Sequence, residues 1–391
     1  MTAAERRRQI EQLRRDGGVP FAQAVLALAA WEPIFGHRTA PVRALIDEAA
    51  QVLTTHPDPT LQARLLLRLA QLKMVEMDLE SADRALARAG AICDDEGLRF
   101  WGGVRACRIA IRRGQAERDR AGALLVAAAE RLAAIGADHE PWPDVAAELA
   151  LGIAELELHA EAPDPAAFAA LDELAEAAED RPDAAFAADQ LRAAHALASG
   201  RADAAVHALR AALKLAVEHA AAEDEVETRL ALAGALVERG DAIGLEEATR
   251  HVQAASERAR GHGLDGAYVA SLIGQAGVLA RRGKIAGAIE RCLEIARLGA
   301  AQGDAVRLVA AVGLMAELYA QTGDHASAYR TIAEAYQGLR DATGADVEPM
   351  FRPHLAALRD RMGEARFREM IEDVHKARLL ADSLLLDPRR S

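Results

Sequence analysis

Along most of this chain apolar residues recur at the i, i+3, i+4, i+7 spacing of one helix face, and β-branched runs of strand length are scarce. That pattern predicts helices almost throughout and essentially no sheet. The clearest segment is 311–336. There Val312, Met315, Ala316 and Tyr319 form one stripe, Gly323-Asp324 interrupts it, and Ala328, Ile332 and Ala335 form the next. Small residues at Ala316 and Ala328 let two antiparallel helices approach closely, with Tyr319 filling the gap between them.

The interruption repeats. Gly200, Gly240, Gly283, Gly323 and Gly363 follow one another at intervals of 40, 43, 40 and 40 residues, each between two helical stretches. Upstream of the clearest unit, Ala276, Leu279, Gly283, Ala288 and Cys292 reproduce its pattern, as do Ala193, Ala196, Gly200, Ala205, Leu209 and Ala212. With three residues inserted after the turn, so do Ala233, Leu236, Gly240, Ala248, Val252 and Ala255. A fixed period of this length is the mark of a helical repeat array. Toward the start the pattern degenerates: Gly114 serves as a turn with two residues inserted, the segment Met77–Ala82 lacks the glycine, and His159–Pro165 turns with prolines.

These positions resemble those of the tetratricopeptide repeat (TPR), in a version longer than the standard one. The resemblance implies an all-α, right-handed α-solenoid of antiparallel helix pairs, eight or nine in the whole chain. Residues 1–57 read as an N-terminal helical cap: a basic helix, a Gly17-Gly18 break, an apolar helix around Val25–Trp31, a Pro33–Pro41 loop and another helix. Residues 58–345 read as the repeats and 346–391 as C-terminal capping helices, because Arg359 and Arg368 stand where the repeats have small or apolar residues. A repeat array builds an extended surface in place of a pocket, so the expected work is binding and the expected protein is not an enzyme.

Composition sharpens this picture in three places. Hydrophobic residues make up 51% of the 391 but aromatics only 4%, so the core must be built of alanine, leucine and valine. The net charge of −13 argues against a nucleic-acid partner, which usually meets a basic face. That charge is unevenly spread, with fifteen acids against Arg181 alone over 138–189 and eight arginines against three acids over 99–131. The acidic stretch reads either as solvated, locally paired outer faces or as a trough for a basic partner. Cys93, Cys107 and Cys292 sit in helical apolar patterns and read as buried free thiols, with no signal-like or membrane-length apolar run, so a cytoplasmic location is expected. Asparagine is absent and only four lysines stand beside 43 arginines, a bias that looks like a high-GC bacterial genome.

Candidate chemistry is sparse. Gly261-His262-Gly263-Leu264-Asp265-Gly266 spells GxGxxG, but a helical stretch precedes it where a dinucleotide loop needs a strand. His195, His207 and His219 are twelve apart, not the i, i+4 pair that shares a helix face, so no metal, cofactor or catalytic residues are expected. The expected partner is a protein or peptide, with no nucleic acid and no membrane. Polar positions on the first helix of each pair, Glu148, Glu155, Arg192, Arg229 and Gln275, are candidates for a concave groove, taken as exposed from helix phase. Trp101 and Trp142 read either as partner anchors or as local packing. The Leu379–Leu386 tail, with Leu384 and Leu385, either folds back or makes a homodimer or partner contact. The resemblance also implies what is missing: carboxylate-clamp TPR proteins and several peptide-sensing regulators grip ligand backbone with asparagine, and arginine has a different fork and no acceptor. The first reading is a scaffold or adaptor; the alternative is a ligand- or peptide-responsive sensor that controls a separate effector.

Overall fold

The computed structural model of the chain describes residues 3–31, 39–135, 142–160, 163–176, 182–219 and 222–385. All nineteen elements among the described residues are α-helices, and none is long and apolar enough to cross a membrane. The chain divides into two compact units, one of Met1–Arg239 with Gly261–Leu264, the other of Gly240–Arg260 with Asp265–Ser391.

The first unit opens with α1 (Ala3–Asp16), α2 (Gly18–Trp31) and α3 (Thr39–Thr55), which close over Ile10, Phe21, Val25, Ile46 and Leu53. Pro41 falls in the first turn of α3, not in the loop, a position where its missing N–H costs nothing. Helix pairs follow: α4 (Pro59–Val75) with α5 (Leu79–Ile92), α6 (Glu96–Arg113) with α7 (Gln115–Ile135), α8 (Trp142–Glu157) with α9 (Pro165–Glu176), and α10 (Pro182–Ala198) with α11 (Ala202–His219), then α12 (Ala222–Arg239). The first helices α4, α6, α8 and α10 also touch one another in that order, so they build one continuous face.

The second unit holds α13 (Ala242–Gly261), α14 (Asp265–Arg281), α15 (Ile285–Gln302), α16 (Ala305–Gln321), α17 (His325–Thr343), α18 (Glu348–Met362) and α19 (Glu364–Leu385). Its main core contains Val312, Met315, Ala316, Ala328 and Ile332, the stripes expected from the repeat, together with Ala276, Ala288 and Cys292 of the preceding one. Burying each of the larger side chains contributes about 1.5–3 kcal/mol. Gly313 on α16 lies under the His354 ring of α18, and a Cβ there would overlap that ring.

The repeat glycines mark helix ends because the chain must enter the left-handed region to reverse. Gly323 has φ +81°, its N–H bonds Ala320 O at 3.2 Å, and the next N–H, of Asp324, bonds Tyr319 O at 3.0 Å. Asp324 then caps α17 by accepting from Ser327 N at 3.0 Å. One turn thus ends one helix and starts the next. The same construction joins α4 to α5 without glycine. Met77 adopts φ +57°, Asp78 N bonds Lys73 O at 2.9 Å, and Asp78 caps α5 through Ser81 N. Met77 is 62% exposed, so its side chain contributes little packing to offset the left-handed backbone. Met77→Gly is therefore expected to raise the unfolding free energy by about 1 kcal/mol. Denaturant titration at neutral pH checks this, and a loss of stability would show that the methionine stem packs more than its exposure implies.

Candidate functional site

The first-helix face of the first unit carries a belt of charged and polar side chains whose partners lie on neighbouring first helices. Arg105 on α6 is fully buried, donates from Nη1 to the Leu67 carbonyl of α4, and makes a 2.5 Å ion pair to Glu148 of α8. Arg108, one turn on, bridges Glu148 at 2.6 Å and Glu155 at 2.6 Å. Arg112 reaches Glu155 at 3.0 Å and the Met74 carbonyl of α4 at 3.3 Å. Three arginines of α6 thus hold two glutamates of α8, and the Arg108–Glu155 pair is bidentate, the rigid geometry at which arginine excels. Two guanidinium groups lie over the Trp101 ring, Arg68 at 4.9 Å and Arg105 at 5.0 Å. The tryptophan face attracts both cations and shields them from water.

The belt fixes its own ionisation. Burial pushes the Glu148 carboxyl up, but the attraction and hydrogen bonds of Arg105 and Arg108 together outweigh it and leave the group well below the usual carboxylate range. Glu155 is lowered in the same way, burial being outweighed by Arg108 and Arg112. Both are carboxylates at neutral pH, committed to arginine and unsuited to proton transfer.

Farther along the same unit the contacts are looser. Arg192 of α10 pairs with Asp172 and Asp189, each at 2.8 Å, and Gln190 donates to Thr228 Oγ1 of α12 at 3.0 Å. Arg229 of α12 pairs with Glu225 at 2.7 Å. Burial raises the Asp189 pKa, only partly opposed by Arg192. His195 lies stacked on Phe168 with ring centroids 3.7 Å apart, and burial followed by Arg201 lowers its pKa. On the same helices, α10 and α12, Ala194 and Gly234 are exposed, and a Cβ at Gly234 would meet open space.

These positions correct several expectations. Glu148 was expected on an exposed groove position, yet it is buried, because long arginines from α6 reach across and cover it. Glu155, Arg192, Arg229 and Gln275 are half-buried. Trp101 is 3% exposed and packs within the fold, not at the surface. The side chains of Trp142, Leu384 and Leu385 lie outside the described residues. Within the acidic stretch Glu148 and Glu155 are neutralised by Arg105, Arg108 and Arg112 of the basic stretch, a local pairing that leaves these two acids unavailable to a basic partner.

Sequence reasoning missed Arg105, Arg108 and Arg112. The signal was present in the spacing: the ion-pair partners stand 40, 43 and 47 residues apart, about one repeat, so opposite charges one period apart on first helices meet. The GxGxxG spelling falls between α13 and α14, with a helix on each side. Among the described residues no cluster of His, Cys, Asp and Glu could hold a metal ion. The three cysteines are free and buried, and burial pushes the Cys292 thiol up to about 11.

No protein-family model matches the chain, and no curated protein is significantly similar to it. Solved structures do match. A signal transduction ATPase with numerous domains (STAND) carrying a tetratricopeptide repeat sensor, from Pyrococcus horikoshii, aligns with TM-score 0.54 and 16% identity over 88% of this chain and 53% of its own. The chain therefore spans about half the length of that protein. The apo form of RapI aligns with TM-score 0.57 and 10% identity over 82% of this chain and 88% of its own. At such identities the fold is what is shared, and it is a TPR-like array of helix pairs.

Proposed function

We propose that this chain is a non-catalytic binding module, bacterial and cytoplasmic, whose first-helix face receives an extended or helical segment of a protein or peptide. The observation that carries the reading is the composition of that face. Polar groups recur from α4 to α12, the innermost are locked in ion pairs, Arg112, Gln190 and Arg229 stay half-exposed, and α10 and α12 also carry the small exposed residues Ala194 and Gly234. A rigid, preorganised polar face bordered by open space suits recognition of a peptide backbone and side chains. The paired belt also reduces the attraction for a purely basic partner, so specificity would rest on hydrogen bonds more than on net charge.

A second reading, a regulatory sensor that controls a separate effector, is favoured by the likeness to the STAND protein with a TPR sensor. The two differ in what they bind first, a macromolecule or a small ligand that compacts the array.

The test is site-specific photocrosslinking in cells. A benzophenone side chain placed at Ala194 on α10 or Gly234 on α12 should capture one defined polypeptide, whereas the same group at exposed Ala204 on α11 should not. Equal capture at Ala204, or none at either first-helix position, contradicts the proposal.

A further inference from the structure

A groove of about 890 Å³ runs between α17 and α19 in the second unit, far along the chain from the belt and independent of it. Its floor is apolar, formed by Tyr329 and Ala333 of α17 with Met370 and Val374 of α19. Tyr329 is fixed there by an edge contact to Phe367 and a 3.2 Å contact of its hydroxyl with His375 Nε2. The rim is charged with both signs. Glu334, Arg366 and Glu369 have no ion-pair partner among the described residues, and Asp373 has only a 3.9 Å contact to Lys376 on its own helix. An apolar floor bordered by unused charges of both signs is the anatomy of an interface core with its polar rim.

The charges also say what would fit. On α19 the stripe facing the groove runs Arg366, Met370, Asp373, a cation and an acid at i and i+7 with an apolar residue between them. Turned end for end, this stripe is its own complement. An antiparallel copy crossing at Met370 sets Arg366 opposite the partner's Asp373, and two-fold symmetry repeats the pair. With 22 residues, α19 is about 33 Å long, enough for such a crossing.

We infer that the groove between α17 and α19 is a homodimer interface, in which a second copy of this chain lays its α19 antiparallel on the first, with Met370 at the centre and reciprocal Arg366–Asp373 ion pairs. A foreign helix would need to reproduce this charge order, whereas the chain's own α19 already carries it.

Sedimentation equilibrium of the full chain over a concentration series tests this, using Arg366→Asp and Asp373→Arg. Both residues are exposed, so neither change should disturb the fold, and circular dichroism melts confirm that. The wild type should dimerise. Each single reversal places like charges opposite each other twice and should weaken the dimer by at least ~10-fold. An equimolar mixture of the two variants should regain dimerisation, because each then supplies what the other lacks, and the double variant should dimerise alone. A wild type that stays monomeric throughout overturns the inference. So does a dimer indifferent to the single reversals, or a mixture that fails to reassociate.

Discussion

Replacing Glu148 by alanine should lower the unfolding free energy of the first unit by about 3–5 kcal/mol, the largest single-site effect expected in this protein. The reason lies in what remains behind. Arg105, with no exposed surface, loses its only carboxylate partner among the described residues, and Arg108 is left with Glu155. A buried guanidinium without a counter-charge costs far more than the pair contributed net, since pairing mainly repays the desolvation of both ions. A second variant separates charge from packing. Arg105→Met combined with Glu148→Leu removes that pair while keeping much of the volume, and should cost less than Glu148→Ala alone. Denaturant unfolding followed by tryptophan fluorescence, in a background with Trp31→Phe and Trp142→Phe, reports on the affected helices, because the remaining Trp101 ring lies near both Arg68 and Arg105. If the double variant proved worse than the single one, shape and not charge would be the main support of α6 against α8.

Acid should unfold the first unit before the second. Glu148 and Glu155 ionise below the ordinary value of 4.5 when folded, so the unfolded chain takes up protons that the folded chain refuses. Their contribution is complete above that value and is lost as pH falls toward the folded values, at up to about 1.4 kcal/mol per pH unit for each group. His195 adds a smaller loss that begins higher, since its folded pKa lies under the usual 6.5 and the unfolded state again holds more protons. Asp189 works in the opposite direction, its raised pKa favouring the folded form on acidification. Two carboxylates in the buried belt outweigh one. Hydrogen exchange between about pH 5 and pH 3 should therefore show α6 and α8 losing protection ahead of α15 and α16. Simultaneous loss in both units would contradict the assignment of acid sensitivity to the belt.

Much of the fold was legible from local rules. The five repeat glycines all adopt positive φ, from +68° at Gly200 to +81° at Gly323 and Gly363, because only a left-handed residue lets the helix reverse so tightly. The same rule explains where the reading weakened. At Met77 the turn is kept and the glycine is not, so geometry survives where the residue signature fails. The belt was harder to see for a different reason. Helix phase alone places Glu148 on an open face. Its burial follows from arginines one repeat earlier, whose reach depends on which first helices are neighbours. For Trp101 the local-packing alternative holds, its ring lying near Arg68 of α4 and Arg105 of its own helix. Gln190 with Thr228 obeys the same one-repeat spacing.

The most direct test of a binding face on the first helices is to block it without unfolding it. Gly234 is exposed on α12 with open space around it, so Gly234→Arg should leave the melting temperature unchanged or slightly raised, arginine being the better helix former. The affinity of the segment captured by crosslinking should then be measured by titration for wild type, Gly234→Arg and the second-helix control Ala204→Arg. The account predicts a loss of at least ~10-fold for Gly234→Arg alone, as a side chain fills space meant for the ligand. Undiminished binding by Gly234→Arg, with loss in Ala204→Arg, would place the ligand on the opposite helices and contradict it.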